Sequence, residues 1–120
     1  MERGRRLERF DDLDVWQRAH ALTLEVYRLT NGFPDHEKFG LASQMRRAAV
    51  SVPANIAEGH GRFGRDRLNH WRIAYASAKE VDSHLRLLAA AGAVNGIGAE
   101  NALETFDHVR AMTWRLLNPI

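Results

Sequence analysis

The chain has no cysteine, which removes disulfides, thiol nucleophiles and thiolate metal sites together. Lysine is scarce as well: among 17 basic residues only Lys38 and Lys79 are lysine, and the others are arginine. The longest uncharged apolar run, Leu87 to Ile97, falls far short of the ~20 residues that span a membrane. No apolar segment of the secretory kind stands near the N-terminus, so a cytoplasmic protein without membrane association is expected. No segment alternates in strand fashion between turn signals, which argues against a sheet. Catalytic signatures are missing too. Ser43, Ser51, Ser77 and Ser83 all lie in helical patterns, none in a Gly-x-Ser-x-Gly elbow. Gly59-His60-Gly61 lacks the strand before and the Lys-Ser/Thr after that a phosphate loop needs. Neither an enzyme nor a bound cofactor is expected.

What remains is a 120-residue chain, 45% hydrophobic and 27% charged, with room for one core. Residues 1–10 are Arg-rich without periodicity and read as a flexible arm, and residues 11–118 as the folded domain. Asp11, Asp12 or Asp14 could cap a first helix, with Leu13, Trp16, His20, Thr23 or Leu24, and Tyr27 at helical spacing until Asn31-Gly32. Phe33-Pro34-Asp35 reads as a turn. A second helix starts between Asp35 and Gly40 and runs to Gly59-His60-Gly61, with a kink or break predicted at Pro53. Arg62 to Arg65 reads as a basic loop and Asp66 as the next cap. From Leu68, the positions Trp71, Ala74, Tyr75, Ala78, Val81, Leu85 and Leu88 predict a long third helix ending at Gly92. A loop at Asn95-Gly96-Ile97-Gly98 precedes a fourth helix through Ala102, Phe106, Val109 and Thr113, which Pro119 ends. Short connections place consecutive helices side by side, so the predicted fold is an all-α, antiparallel up-down four-helix bundle.

The second helix carries an unusual distribution. Gln44, Arg47, Ser51, Asn55 and Glu58 form one polar stripe, with Leu41, Met45, Ala48, Val52 and Ile56 as an apolar stripe beside it. The third side, with Ala42, Ser43, Val50, Pro53, Ala54 and Ala57, is small or apolar where a surface helix carries Lys and Glu. Such a helix is expected to be covered on more than one side, and a chain this small achieves that by self-association. The polar stripe then reads as a structural network or subunit interface, with Glu58 pairing Arg47 or an arginine of a neighbouring copy and Asn55 meeting backbone freed by Pro53.

Arginine clusters supply a second signal, because the guanidinium is a bidentate phosphate ligand. Arg46, Arg62, Arg65, Arg67 and Arg72 are the nucleic-acid-binding candidates, set against the plainer reading of a solvated charged face. The pairs Glu80/His84 and Glu104/His108 stand at i, i+4, one residue off the Glu-x-x-His of carboxylate-bridged bundles, so no metal is expected. Trp16, Trp71 and Trp114 at helical spacing read as core or interface anchors.

Several of these segments, taken together, resemble a known family. Leu13-Asp14-Val15-Trp16-Gln17-Arg18-Ala19, Phe33-Pro34, Gly40-Leu41-Ala42-Ser43-Gln44-Met45-Arg46-Arg47-Ala48, Asn55-Ile56-Ala57-Glu58-Gly59 and Ile73-Ala74-Tyr75-Ala76-Ser77 with Glu80 are similar to the bacterial four-helix-bundle family encoded in ribosomal RNA intervening sequences. The resemblance covers roughly residues 10 to 117. It implies a bundle that assembles as a homo-oligomeric ring, a pentamer, with no enzyme activity. It also brings in the accessory proteins of diversity-generating retroelements, which look similar and bind a reverse transcriptase and nucleic acid. The expected function is therefore that of a non-catalytic oligomeric scaffold or nucleic-acid-binding protein, with RNA or DNA as the ligand class. The alternative is an adaptor for a nucleic-acid enzyme, such as a reverse transcriptase, that does not touch nucleic acid itself.

Overall fold

The computed structural model describes residues 9–33, 40–94 and 96–119. Four α-helices carry the fold: α1 (Asp14–Thr30), α2 (Leu41–His60), α3 (Gly64–Ala90) and α4 (Gly96–Leu117). They form the expected up-down bundle, with no strand among the described residues. Packing runs α1 on α2, α2 on α3, α3 on α4 and α4 back on α1, so the helices sit at the corners of a square. The result is a rod of 52 × 26 × 25 Å. Within the described residues no helix is long and apolar enough to cross a membrane.

Each helix buries one face at the spacing the 3.6-residue period demands. That face is Met45, Ala48, Ala49, Val52 and Ile56 on α2, Ala74, Ala78, Val81, Leu85 and Leu88 on α3, and Ala99, Ala102, Phe106 and Val109 on α4. On α1 the buried face is Val15, Ala19, Leu22, Val26 and Thr30, not the predicted Trp16, His20 and Tyr27. Tyr27 and Leu24 are exposed, and His20 stacks on Trp16 at 4.9 Å on the outside. The true stripe lies about one residue, or ~100°, from the predicted one. Its residues are smaller, which suits the tight space between four helix axes.

Helix ends depart from expectation in an instructive way. Leu13 occupies the N-cap position of α1 without a side-chain cap, and Asp14 acts instead as an acid in the first turn. Just before it, Phe10–Asp12 form a 3-10 turn whose Phe10 packs edge-on against Trp16 at 5.4 Å. Residues 1–8 of the Arg-rich arm and 34–39, which include the predicted Pro34 turn and second-helix start, lie outside the described residues. Helix α3 starts at Gly64, earlier than the predicted Asp66 cap, with Phe63 at the N-cap and Gly64 at φ +58, a conformation open to glycine. Its C-terminus is a Schellman motif at Gly92 (φ +73), where Ala93 N–H donates to Leu88 O at 2.9 Å and Gly92 N–H to Ala89 O at 3.1 Å. That one motif stops the chain, and α4 then begins at Gly96, inside the predicted loop.

Pro53 does not break α2, which is helical from Leu41 to His60. Proline lacks the N–H that would have bonded the carbonyl of Ala49. The Thr23 hydroxyl of α1 lies 2.9 Å from Ala49 O and 3.0 Å from Ala19 O, so it donates where the proline does not. Asn55, the residue expected to meet this carbonyl, bonds Ser51 O at 2.9 Å instead. Ala49 lies six residues before Asn55, about 9 Å along the axis, beyond that side chain's reach.

Close approach of α2 and α3 depends on Gly59. A Cβ at this position would stand 2.5 Å from Cδ1 and Nε1 of Trp71, whose indole N–H points at Ile56 O, 3.4 Å away. Two substitutions test these contacts by urea denaturation. Thr23→Val leaves Ala49 O unmet and is expected to destabilise by about 1–3 kcal/mol. Gly59→Ala forces Trp71 aside, with an expected loss of about 1–3 kcal/mol from overpacking.

Candidate nucleic-acid interface

The arginines singled out from sequence have different fates. Arg67 is a cap at the C-terminus of α2: its Nε donates to Gly59 O at 3.0 Å, where Arg62 N–H also donates at 3.1 Å, and its Nη2 donates to His60 O at 3.0 Å. Its guanidinium lies over the rings of Trp71 (5.2 Å) and Phe63 (5.7 Å). Arg46 is also engaged, donating from Nε to Thr30 Oγ1 at 2.6 Å and lying 4.6 Å from the Tyr27 ring centroid. Arg62 bridges two carboxylates, Glu58 and Asp66, each at 2.9 Å. The hydrogen bonds it donates to Asp66 and then Glu58 hold its guanidinium pKa above the ordinary value. Only Arg65 and Arg72 of the five are exposed and make no hydrogen bond or ion pair with described residues.

Those two belong to a longer series. Arg65, Arg72, Lys79 and Arg86 stand seven residues apart along α3, and all are exposed. Seven residues are nearly two helical turns, so the four cations form one row about 31 Å long at ~1.5 Å rise per residue. The positions beside them at three and four residues include Leu68, Asn69, Tyr75, Ala76 and Ser83. The one acid among these neighbours is Asp82, held by Arg86 at 3.2 Å. Among the described residues Lys79 has no carboxylate partner either; its Nζ lies 5.6 Å from the Tyr75 ring. The row was readable from the heptad spacing of the cations alone. Grouping arginines by adjacency along the chain hides it, because members sit on separate turns.

The polar stripe of α2 opens toward α3. Asn55 Nδ2 donates to Ser51 Oγ at 3.0 Å, Ser77 Oγ donates to Ser51 Oγ at 3.0 Å, and His70 Nδ1 meets Asn55 Oδ1 at 3.0 Å. Ser51 and Asn55 are half-buried, whereas Gln44, Arg47 and Glu58 are exposed. Arg47 does not reach Glu58, since eleven residues of helix separate them by about 16 Å. It contacts Ser43 Oγ at 3.5 Å, and Glu58 takes Arg62, one turn away. Gln44, Arg47, Ala48, Ser51, Ser77 and Glu80 line a groove of about 290 Å³. The His70 imidazole, which does not line this groove, bonds the Asn55 amide, and the Ser51 and Ser77 hydroxyls bond each other.

Glu80 and His84 approach each other on α3, with Nε2 3.8 Å from Oε2. Among the described residues no group of three or more His, Cys, Asp or Glu is placed to hold a metal ion. Replacing Asn55 with leucine strips Ser51 and His70 of their shared partner in a half-buried seam. Asn55→Leu is expected to lower stability by about 1–3 kcal/mol, read from urea curves, while Asn69→Leu on exposed surface changes it little.

No curated protein matches the chain. A solved structure from Bacteroides thetaiotaomicron VPI-5482, a protein with unknown function from the S23 ribosomal protein family, superposes with a TM-score of 0.77 at 20% identity. The match covers 87% of this chain and 98% of the other, and it shows a shared fold. The family model described as 23S rRNA-intervening sequence protein matches residues 11–115. Nearly the whole described bundle lies within that match, and the chain belongs to the 23S rRNA-intervening sequence protein family.

Proposed function

We propose that this protein is a non-catalytic, self-associating nucleic-acid-binding protein whose α3 row contacts backbone phosphates. The observation that carries the reading is the row itself: Arg65, Arg72 and Lys79 are exposed, evenly spaced and unpartnered by carboxylates among the described residues. A pI near 9.5 favours the same ligand class. The family description concerns intervening sequences of 23S rRNA, an RNA context in keeping with it. Arg65 and Arg72 are the primary phosphate ligands in this proposal. Arg46, Arg62 and Arg67 contribute only by exchanging their present partners.

Self-association is supported by the outer face of α1 and α2. Tyr27, Ser43, Arg46, Arg47 and Val50 line a concavity of about 410 Å³, and Leu24, Tyr27 and Val50 are each more than 40% exposed. Ala54 continues this face as an exposed small residue. Part of the uncharged side of α2 is used within the chain, where Ala42 and Pro53 are buried. The remainder suits a neighbouring copy, with Gln44, Arg47 and Glu58 as polar partners at its margin and Ser51 and Asn55 as the internal network. A pentameric ring, which the family resemblance implies, would display five copies of the row and multiply weak contacts.

Fluorescence anisotropy with labelled RNA and DNA over a salt series tests the reading. Affinity is expected to fall with a linear log–log slope, and Arg65→Gln with Arg72→Gln is expected to make a single-strand slope shallower by about 1.4. Absence of binding at low salt overturns it. The protein would then serve as an adaptor for a nucleic-acid enzyme such as a reverse transcriptase.

A further inference from the structure

Trp114 has the helical spacing of a core anchor, yet it is 52% exposed. Its ring lies 5.9 Å from that of Tyr75 at an interplanar angle of 49°, so the two form an aromatic pair across the α3/α4 seam. Cations surround it. Arg72 stands one turn before Tyr75 on α3 and Lys79 one turn after, with Nζ 5.6 Å from the tyrosine ring centroid. The antiparallel register brings Arg110, one turn before Trp114, level with Lys79. Arg110 has a loose pair with Asp107 at 3.9 Å. The aromatic pair therefore sits beside the middle of the basic row, with a free arginine on one side and two cations on the other.

Neither feature alone selects a ligand, but together they do. Phosphate contacts from Arg72 and Lys79 are indifferent to strandedness. A half-exposed indole offers a flat face, and the base faces that match it are free in a single strand and covered by neighbouring base pairs in a duplex. Stacking of this kind tolerates any sequence, since every base has a π face. The flanking cations disfavour a basic partner surface, and the ring pair rewards a planar one. We infer that the α3/α4 face binds single-stranded nucleic acid, with an unpaired base stacked on Trp114 and the adjoining phosphates held by Arg72 and Lys79. This rests on the phosphate-binding reading of α3 and adds the class of strand to it.

Anisotropy titrations of the full chain with a labelled single-stranded oligonucleotide, as DNA and as RNA, and with the corresponding duplex test the inference. The single strand is expected to bind more tightly than the duplex at matched salt. Trp114→Ala is expected to weaken single-strand binding about tenfold or more, on both sugars, with the salt slope unchanged and duplex binding almost unaffected. Trp114→Phe is expected to retain most of the affinity. If Trp114→Ala loses helical circular dichroism, Trp114→Leu, which fills the volume without a π face, is measured instead and should show the same loss. Unchanged single-strand affinity in these variants overturns the stacking site while leaving the phosphate reading intact, provided Arg72→Gln still weakens binding. A change in oligomeric mass with Trp114→Ala, seen by mass photometry, assigns the face to a second copy and also overturns it. No binding of any nucleic acid by the unaltered protein removes the phosphate reading and the stacking site together.

Discussion

The contact of Trp71 with Gly59 is the constraint from which the rest of the bundle follows. An indole occupies the space where any side chain at residue 59 would stand, so α2 and α3 approach as closely as backbone and ring allow. This contact lies at the turn between the two helices, beside the last carbonyls of α2. Arg67 closes those carbonyls and covers the same indole with its guanidinium. One glycine, one tryptophan and one arginine thereby fix where α2 stops, where α3 starts and how α3 is rotated. That rotation decides which residues of α3 face the core and leaves Arg65, Arg72, Lys79 and Arg86 outside.

Polar groups hold the helices together at several seams, without a fully buried charged pair among the described residues. Thr23 of α1 serves the Ala49 carbonyl that Pro53 leaves open, Thr105 of α4 donates to Glu25 of α1 at 2.6 Å, and Ser77 of α3 reaches Ser51 of α2. Each bond is short range and neutral or singly charged, so it fixes register without the desolvation cost of a buried ion pair. The ion pairs that do occur, such as Arg62 with Glu58 and Asp66, are on the surface and contribute little to folding.

Much of this was legible in the sequence, and the failures share a physical origin. Helical periodicity identified the helices and the core faces of α2, α3 and α4, because apolar residues there recur at three and four. It failed on α1, where bulky Trp16, Leu24 and Tyr27 suggested a face that the narrow interior cannot hold, and Val15, Ala19 and Leu22 fill it instead. The stop at Gly92 was legible, because glycine is the residue that takes a positive φ at a helix end, whereas Gly96 and Gly98 looked like breakers and yet lie in the first turn of α4. The expected pairing of Glu58 with Arg47 ignored distance along the helix axis. The candidate interface was legible only in part: Arg65 and Arg72 were identified, while Lys79 and Arg86 needed a count in sevens. Which arginines were already engaged depended on the fold, since the partners of Arg46 and Arg67 are a threonine and backbone carbonyls supplied by turns and neighbouring helices.

The heptad spacing of the row has a geometric corollary. A straight α-helix falls short of two full turns by about 20° every seven residues, so the cations trace a shallow left-handed spiral that winds through about 60° from Arg65 to Arg86. A stiff rod laid along α3 would face one or two of them squarely and slide off the others. A pliant polymer can follow the winding from end to end, and in doing so it must curl around the bundle rather than run beside it. The pitch of an ordinary helix, set against a seven-residue habit of sequence, thus favours a flexible ligand before any individual contact is considered.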